Sequence, residues 1–132
     1  MDDFKGGLSR VMKEDKFGFV DKNGNEIIPC IYKDVDNFIG GLSRVEKNDK
    51  WGFVDKKGNE VIPCIYNVVL NFSEGLAVLI KEDKYGFIDK SGKEVIPCIY
   101  NDVNYFKGGL SSVKKDDKWG FVDKKGLEYW ED

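Results

Sequence analysis

Histidine is absent from this chain of 132 residues, which also contains only three cysteines and three prolines. Without histidine, the side chain most often used as a general base near neutral pH is missing. The sequence also lacks a Gly-x-Ser-x-Gly elbow, a phosphate-binding P-loop and a dinucleotide-binding glycine pattern. We therefore expect no enzyme activity, no cofactor and no metal site.

The chain also lacks a basic stripe and a long apolar run. Its formal net charge is -3, and lysines alternate with acidic residues along the sequence, so no surface is predicted to attract a phosphate backbone. No stretch approaches the ~18 apolar residues of a membrane-spanning helix. The N-terminal residues Met1-Asp2-Asp3 do not resemble the start of a signal peptide. We expect a cytoplasmic protein that binds neither nucleic acid nor membrane.

The three cysteines occupy one position in an internal repeat: Cys30, Cys64 and Cys98 each lie within Ile-Pro-Cys-Ile-Tyr. Their odd number and the absence of a Cys-x-x-Cys pair argue against a disulfide framework or a zinc site. We predict reduced, buried thiols that act as small apolar side chains.

A unit of 34 residues is repeated almost four times, with units at 4–37, 38–71, 72–105 and a shorter one at 106–132. Each unit opens with a phenylalanine and carries an aromatic-Gly-Phe triplet. The triplets are Phe17-Gly18-Phe19, Trp51-Gly52-Phe53, Tyr85-Gly86-Phe87 and Trp119-Gly120-Phe121. A unit this short buries too little surface to fold alone, so its apolar face must pack against neighbouring copies. We predict one repeat domain over residues 1–132.

The second unit shows the expected secondary structure most plainly. Residues 41–47 and 50–55 are predicted strands joined by a two-residue turn at Asn48-Asp49. A third strand is predicted from Glu60, after a turn in which Asp55 is followed by Gly58. Apolar residues do not recur with helical spacing over any useful length. The predicted class is all-β, with about three antiparallel strands in each unit.

Two residues of the second unit place constraints on the backbone. Gly52 has no Cβ, so it permits another backbone or side chain to approach closely on its side of the strand. Pro63 cannot donate a hydrogen bond to a sheet, which predicts an edge, a bulge or a corner. We favour a corner, beyond which residues 65–69 cross toward the next unit.

The stretch 41–66 resembles the WG (KWG) β-repeat, which occurs in tandem in many bacterial proteins. The resemblance rests on Lys50-Trp51-Gly52, the Asp55-Lys56-Lys57-Gly58 turn and Val61-Ile62-Pro63. It covers nearly the whole chain, although Phe17 and Tyr85 replace the tryptophan in two units. Membership of this family implies a β-rich repeat scaffold and supplies no catalytic motif or cofactor.

The aromatic column formed by Phe17, Trp51, Tyr85 and Trp119 is the candidate binding site. Aromatic side chains offer large, rigid surfaces for stacking on a peptide or a sugar. The alternative is that the column packs between repeats, which the exchange of Phe, Tyr and Trp at one position favours. We expect a non-enzymatic scaffold for protein or peptide interaction; the second hypothesis is a module that binds carbohydrate, such as cell-wall glycan, through exposed aromatics.

The arrangement of the units is expected to be an open β-solenoid or superhelical stack. A small four-bladed propeller is the alternative. The last unit stops without the Ile-Tyr-Asn-Asp-Val segment found at 99–103, so it lacks the residues needed to close a ring. Acidic residues lie at both ends, at Asp2-Asp3 and Glu131-Asp132. Because charges discourage pairing between sheet edges, we expect a monomer.

Overall fold

The computed structural model describes residues 7–130, which form β-strands and turns without an α-helix. The strands are β1 (Leu8–Lys13), β2 (Lys16–Asp21), β3 (Glu26–Tyr32), β4 (Asp34–Val35), β5 (Leu42–Lys47), β6 (Lys50–Asp55), β7 (Glu60–Tyr66), β8 (Val68–Ser73), β9 (Leu76–Lys81), β10 (Lys84–Asp89), β11 (Glu94–Tyr100), β12 (Asp102–Val103), β13 (Leu110–Lys115), β14 (Lys118–Asp123) and β15 (Glu128–Trp130). The all-β class and the repeat of about 34 residues are confirmed. The predicted contributions of Phe4, Asp2-Asp3 and Glu131-Asp132 lie outside the described residues.

The first two strands of each unit form a tight hairpin. In the second unit Lys47 pairs with Lys50, and the two residues between them, Asn48 and Asp49, have φ angles of 54° and 64°. Two consecutive positive φ angles define the type I′ turn, whose twist matches that of paired strands. The predicted reversal is therefore confirmed, and asparagine and aspartate tolerate this conformation better than most residues.

The second turn of the unit is held by an aspartate. In the second unit the Gly58 amide donates to the Asp55 carbonyl at 3.1 Å, and Gly58 has a φ angle of 92°. The Asp55 carboxylate accepts from the amides of Lys57 and Asn59, both at 2.9 Å. This confirms the predicted turn and shows that its carboxylate is occupied by the backbone of its own loop.

Four antiparallel sheets are present among the described residues: one has three strands and three have four. The additional strand comes from the end of the preceding unit. For example, the two-residue β4 pairs with β5, with Val35 opposite Val45. Each later sheet therefore begins before the phenylalanine that was taken to open the unit, and neighbouring repeats share backbone hydrogen bonds.

The proline lies in a bulge of an edge strand, so the prediction of a corner was wrong. β7 continues through Pro63 to Tyr66 at the edge of its sheet. In the equivalent pair β2 and β3, Phe19 lies opposite Ile28 but Phe17 lies opposite Tyr32, which leaves extra residues on β3. An edge strand tolerates a proline because its outward side needs no amide donor.

The glycine of the triplet is required by this bulge. A Cβ on Gly52 would touch the Ile62 carbonyl oxygen and lie 2.7 Å from the Pro63 carbonyl carbon. Both atoms belong to the backbone of β7 and cannot rotate away. The predicted close approach at Gly52 is therefore confirmed.

The described chain divides into two compact units, Met1–Ile65 and Tyr66–Asp132, each with its own apolar core. In the first compact unit the core combines Leu8, Phe19, Ile28, Tyr32 and Val35 of one repeat with Val45 and Val54 of the next. In the second compact unit the core combines Leu76, Val78, Phe87, Ile96, Tyr100 and Val103 of one repeat with Phe106, Val113 and Val122 of the next. Within each unit, one face of a repeat packs against the opposite face of its successor.

We name these two faces by their central residues. The Phe face carries the phenylalanine of the triplet, such as Phe19, and the Val face carries the valines on the other side of the sheet, such as Val45 and Val54 in the next repeat.

Whether residues 1–132 form a single domain, and whether the array is open, remain predictions. In residues 7–130 no helix is long and apolar enough to span a membrane.

Candidate functional site

The aromatic column lies on the second strand of every hairpin, and its four side chains differ in exposure. Phe17, Trp51 and Tyr85 are half-buried, whereas Trp119 is 49% exposed. None of the four belongs to the fully buried core of its unit. The column is therefore not a uniform surface, and its role in binding stays a prediction.

Arginine side chains cover two members of the column. The guanidinium of Arg44 lies 4.5 Å from the centre of the Trp51 ring, and its Nε donates to the Asp36 carboxylate at 2.8 Å. The guanidinium of Arg10 lies 5.5 Å from the Phe17 ring. Such cation–π contacts stabilise a partly exposed aromatic ring and occupy one of its faces.

The phenylalanine next to the column forms the contact between repeats. Phe19 packs edge-on against Phe38 with ring centres 4.9 Å apart, and Phe87 packs against Phe106 at 4.7 Å in the same manner. Phe87 is completely buried, but its counterpart Phe121 is 48% exposed. The Phe face of the last repeat therefore lacks the cover that the equivalent faces have within each unit.

Four exposed side chains make up this uncovered face, which we call the terminal aromatic surface: Leu110, Trp119, Phe121 and Tyr129. Trp119 and Phe121 are two residues apart on β14 and point to the same side. Tyr129 on β15 lies directly opposite Phe121, and Leu110 on β13 lies opposite Asp123 on that side. Of the four, sequence reasoning identified only Trp119.

The edge strand beside this surface differs from its counterparts. β3, β7 and β11 each contain a proline, at Pro29, Pro63 and Pro97. The described part of β15 contains none, and Gly120, Phe121 and Val122 pair with Trp130, Tyr129 and Glu128 without a bulge. Proline and bulges protect sheet edges from pairing with other strands. The described part of β15 thus lacks both the proline and the bulge of its counterparts, and it lies next to exposed aromatic side chains.

A shallow cleft lies beside β15. It has a volume of about 230 Å³ and is lined by Lys115, Asp116, Lys118 and Trp130. Trp130 lies opposite Gly120 and its indole Nε1 donates to the Glu128 carboxylate at 3.1 Å. Charged side chains next to an indole ring could bind a small polar ligand.

The glutamate at the start of each third strand is fully engaged in the fold. Glu60 accepts hydrogen bonds from the Tyr32 hydroxyl at 2.9 Å, from the Lys47 ammonium at 3.1 Å and from the Cys64 amide at 3.2 Å. Burial opposes its charge, yet these donors hold the pKa of the Glu60 carboxyl below its usual range. In the second compact unit, which spans residues 66–132, the Tyr100 hydroxyl donates to Glu128 in the same way. Glu60 and Glu128 thus each accept a hydrogen bond from a tyrosine of the preceding repeat.

The three thiols are free and half-buried, so they are more accessible than the sequence led us to expect. The Cys64 Sγ donates to the Val45 carbonyl at 3.8 Å. Burial, followed by the nearby Glu60 charge, raises the pKa of Cys64 to about 11, and Cys98 is raised to about 11 by burial and Glu94. Such thiols are poor nucleophiles at neutral pH. Among residues 7–130 no cluster of side chains suited to a metal ion is found.

Comparison with known protein families accounts for the repeat. The family described as WG containing repeat matches residues 17–51, 51–85 and 85–119 in three consecutive copies. The chain therefore belongs to the WG-repeat family, as its sequence pattern predicted. No curated protein matches the chain.

Proposed function

We propose that this WG-repeat chain is a non-enzymatic scaffold that binds protein through the terminal aromatic surface. The observation that carries the proposal is the exposure of Phe121, at 48%, in a position where Phe53 is 1% exposed and Phe87 is fully buried. Contiguous exposed apolar side chains on a folded protein mark interaction sites. Trp and Tyr, present here as Trp119 and Tyr129, are among the side chains that contribute most to binding energy in protein interfaces.

The edge of β15, which lacks the proline and the bulge in its described part, adds a second means of recognition. A peptide in an extended conformation can add a strand to an exposed sheet edge, where backbone hydrogen bonds supply affinity and side-chain contacts supply selectivity. Tyr129, in the middle of β15, also belongs to the aromatic surface. A strand bound at this edge would therefore place side chains of one face beside Tyr129.

Selection from a library of displayed random peptides tests this proposal directly. We expect enrichment of peptides with alternating apolar residues, and Phe121→Ala should weaken their binding more than tenfold. Ile65→Ala is the matched control, because Ile65 is 60% exposed and lies outside the surface. Failure to enrich any peptide, or equal binding to the Phe121→Ala protein, would reject the terminal aromatic surface as a protein-binding site.

Carbohydrate binding is the second candidate, and the cleft beside Trp130 favours it. Sugars are commonly recognised by an aromatic ring together with polar hydrogen-bonding groups, and here Lys115, Asp116 and Lys118 supply the polar groups. A glycan array separates the two functions. Loss of glycan binding in Trp130→Ala, with no loss in Phe121→Ala, would favour a carbohydrate module over a protein scaffold.

A further inference from the structure

The two junctions that lie inside the compact units show what covers a Phe face. In the first unit Phe19 is covered by Val45, Val54 and Phe38 of the next repeat. In the second unit Phe87 is covered by Val113, Val122 and Phe106, which occupy the equivalent positions. Both junctions thus use one pair of complementary surfaces. In both described junctions, the surface that covers a Phe face is therefore the Val face of the next repeat.

The chain also has a Val face that is less covered than the others. Val11 and Val20 of the first repeat are only half-buried, whereas Val45, Val54, Val113 and Val122 are all completely buried. Val20 lies opposite Ser9 and Val11 opposite Gly18, as Val54 lies opposite Ser43 and Val45 opposite Gly52. The first repeat therefore presents the same surface that covers Phe19 and Phe87 elsewhere.

The residues that precede this face in sequence match those of a covering repeat. Met1-Asp2-Asp3-Phe4 align with Val35-Asp36-Asn37-Phe38 and with Val103-Asn104-Tyr105-Phe106. Phe4 therefore occupies the repeat position of Phe38 and Phe106, whose rings contact the Phe face of the preceding repeat. The first repeat carries at that position the same aromatic residue that internal junctions use.

We propose that the terminal aromatic surface binds the Val face of the first repeat in a second copy of this chain, so that copies associate head to tail. This inference rests on the proposed function, because it names the protein partner of that surface. The contact is heterologous, since each copy uses a different surface, and it leaves one surface of each kind free for a further copy. The expectation of a monomer relied on charged ends, whereas the described ends carry complementary apolar faces.

Sedimentation velocity over a range of protein concentrations tests the association. The unmodified chain is expected to form dimers and longer species as its concentration rises. Phe121→Asp blocks one surface and Val11→Asp blocks the other, so each variant alone should remain monomeric. The matched control Ile65→Asp should associate like the unmodified chain. Circular dichroism of every variant establishes that it keeps its β-structure, and Val20→Asp replaces Val11→Asp if the latter fails to fold.

Mixing the two blocked variants gives the decisive result. The Phe121→Asp protein retains its Val face, and the Val11→Asp protein retains its terminal aromatic surface, so an equimolar mixture should form dimers and nothing larger. A monomeric unmodified chain, or a mixture that stays monomeric, would overturn the proposal. If peptides selected on the terminal aromatic surface still bind in that case, the proposed function survives and only the identity of the partner is wrong.

Discussion

A segment of nine residues, Lys-Trp-Gly-Phe-Val-Asp-Lys-Lys-Gly, occurs at both 50–58 and 118–126. Both copies form a strand followed by the same turn, yet their aromatic side chains differ in exposure. Phe53 is 1% exposed and Phe121 is 48% exposed. Identical local sequence therefore gives identical local structure, while the burial of the same side chain differs between the two repeats. In this chain, a position that is buried in one repeat is therefore half exposed in another.

The largest expected effect comes from truncating the phenylalanine in a covered and an uncovered repeat. Phe87→Ala removes a fully buried ring that packs on Phe106, and it should lower the free energy of unfolding by about 3 to 5 kcal/mol. Phe121→Ala should cost less than about 1 kcal/mol, because nearly half of that side chain already contacts water. Urea denaturation of dilute protein measures both values. Equal losses would show that Phe121 is covered in the monomer and would refute the comparison.

A smaller difference in stability is expected between the third and the fourth repeat when the glycine of the triplet is replaced by alanine. A Cβ on Gly86 would touch the Ile96 carbonyl oxygen and lie 2.7 Å from the Pro97 carbonyl carbon, which are backbone atoms of the bulge. A Cβ on Gly120 would meet the Trp130 ring and the Tyr129 carbonyl oxygen, at 2.7 Å from the latter. We expect Gly86→Ala to destabilise by about 1 to 3 kcal/mol, because the three nearest atoms are all backbone, and Gly120→Ala by less, because only the Tyr129 oxygen is backbone there.

Thermal denaturation of the two glycine variants checks this order. Gly86→Ala should show the larger decrease in melting temperature. The reverse order would mean that β15 and the Trp130 ring yield less than the backbone of the bulged strands, and our explanation of the difference would be wrong.

Features that depend on neighbouring residues were predictable from the sequence. The two-residue turn at Asn48-Asp49, the aspartate turn before Gly58 and the close approach at Gly52 were all anticipated and are confirmed. Each follows from the conformational range of one or two residues. The third strand was placed correctly at its start, but Pro63 was assigned to a corner because a break in donor pattern alone cannot distinguish a corner from a bulge.

Features that depend on distant residues were not predictable. The two-residue strand at Asp34–Val35 is too short to show alternation, and it exists because β5 of the next repeat pairs with it. The exposure of Phe121 and Tyr129 was equally unpredictable, since the same Trp-Gly-Phe triplet occurs in the second repeat, where its phenylalanine is buried. One available signal was the replacement of Ile-Pro-Cys by Trp130-Glu131-Asp132, which removes the proline and predicts a different edge strand.

The smallest expected effect is a loss of stability at alkaline pH. It comes from the cysteine position, which is a cysteine in the first three repeats and Asp132 in the last. Burial raises the pKa of Cys64 and Cys98 to about 11 in the folded chain, from an ordinary value of 9.0. A group whose pKa is raised by folding contributes stability that is complete below its unfolded pKa and is lost as pH rises through the folded value. We therefore expect stability to fall between about pH 9 and 11. Because both thiols are partly exposed, solvent screening limits each contribution to the order of 1 kcal/mol.

Burial and the neighbouring glutamates also raise the pKa of Tyr32 and Tyr100, so the tyrosines also contribute to the alkaline loss of stability. Single alanine substitutions of the cysteines distinguish the contribution of the thiols from that of the tyrosines. Denaturation of Cys64→Ala and Cys98→Ala at pH 8 and pH 10.5 should show a smaller loss of stability between the two values than the unmodified chain. Cys30→Ala is the internal control, since the pKa of its less buried thiol is raised to a lesser extent. If all three variants keep the full loss, the alkaline decrease belongs to the tyrosines, whose hydroxyls must stay protonated to donate to Glu60 and Glu128. The stability of the contact between repeats would then depend on deprotonation of the tyrosine hydroxyls and not of the cysteine thiols.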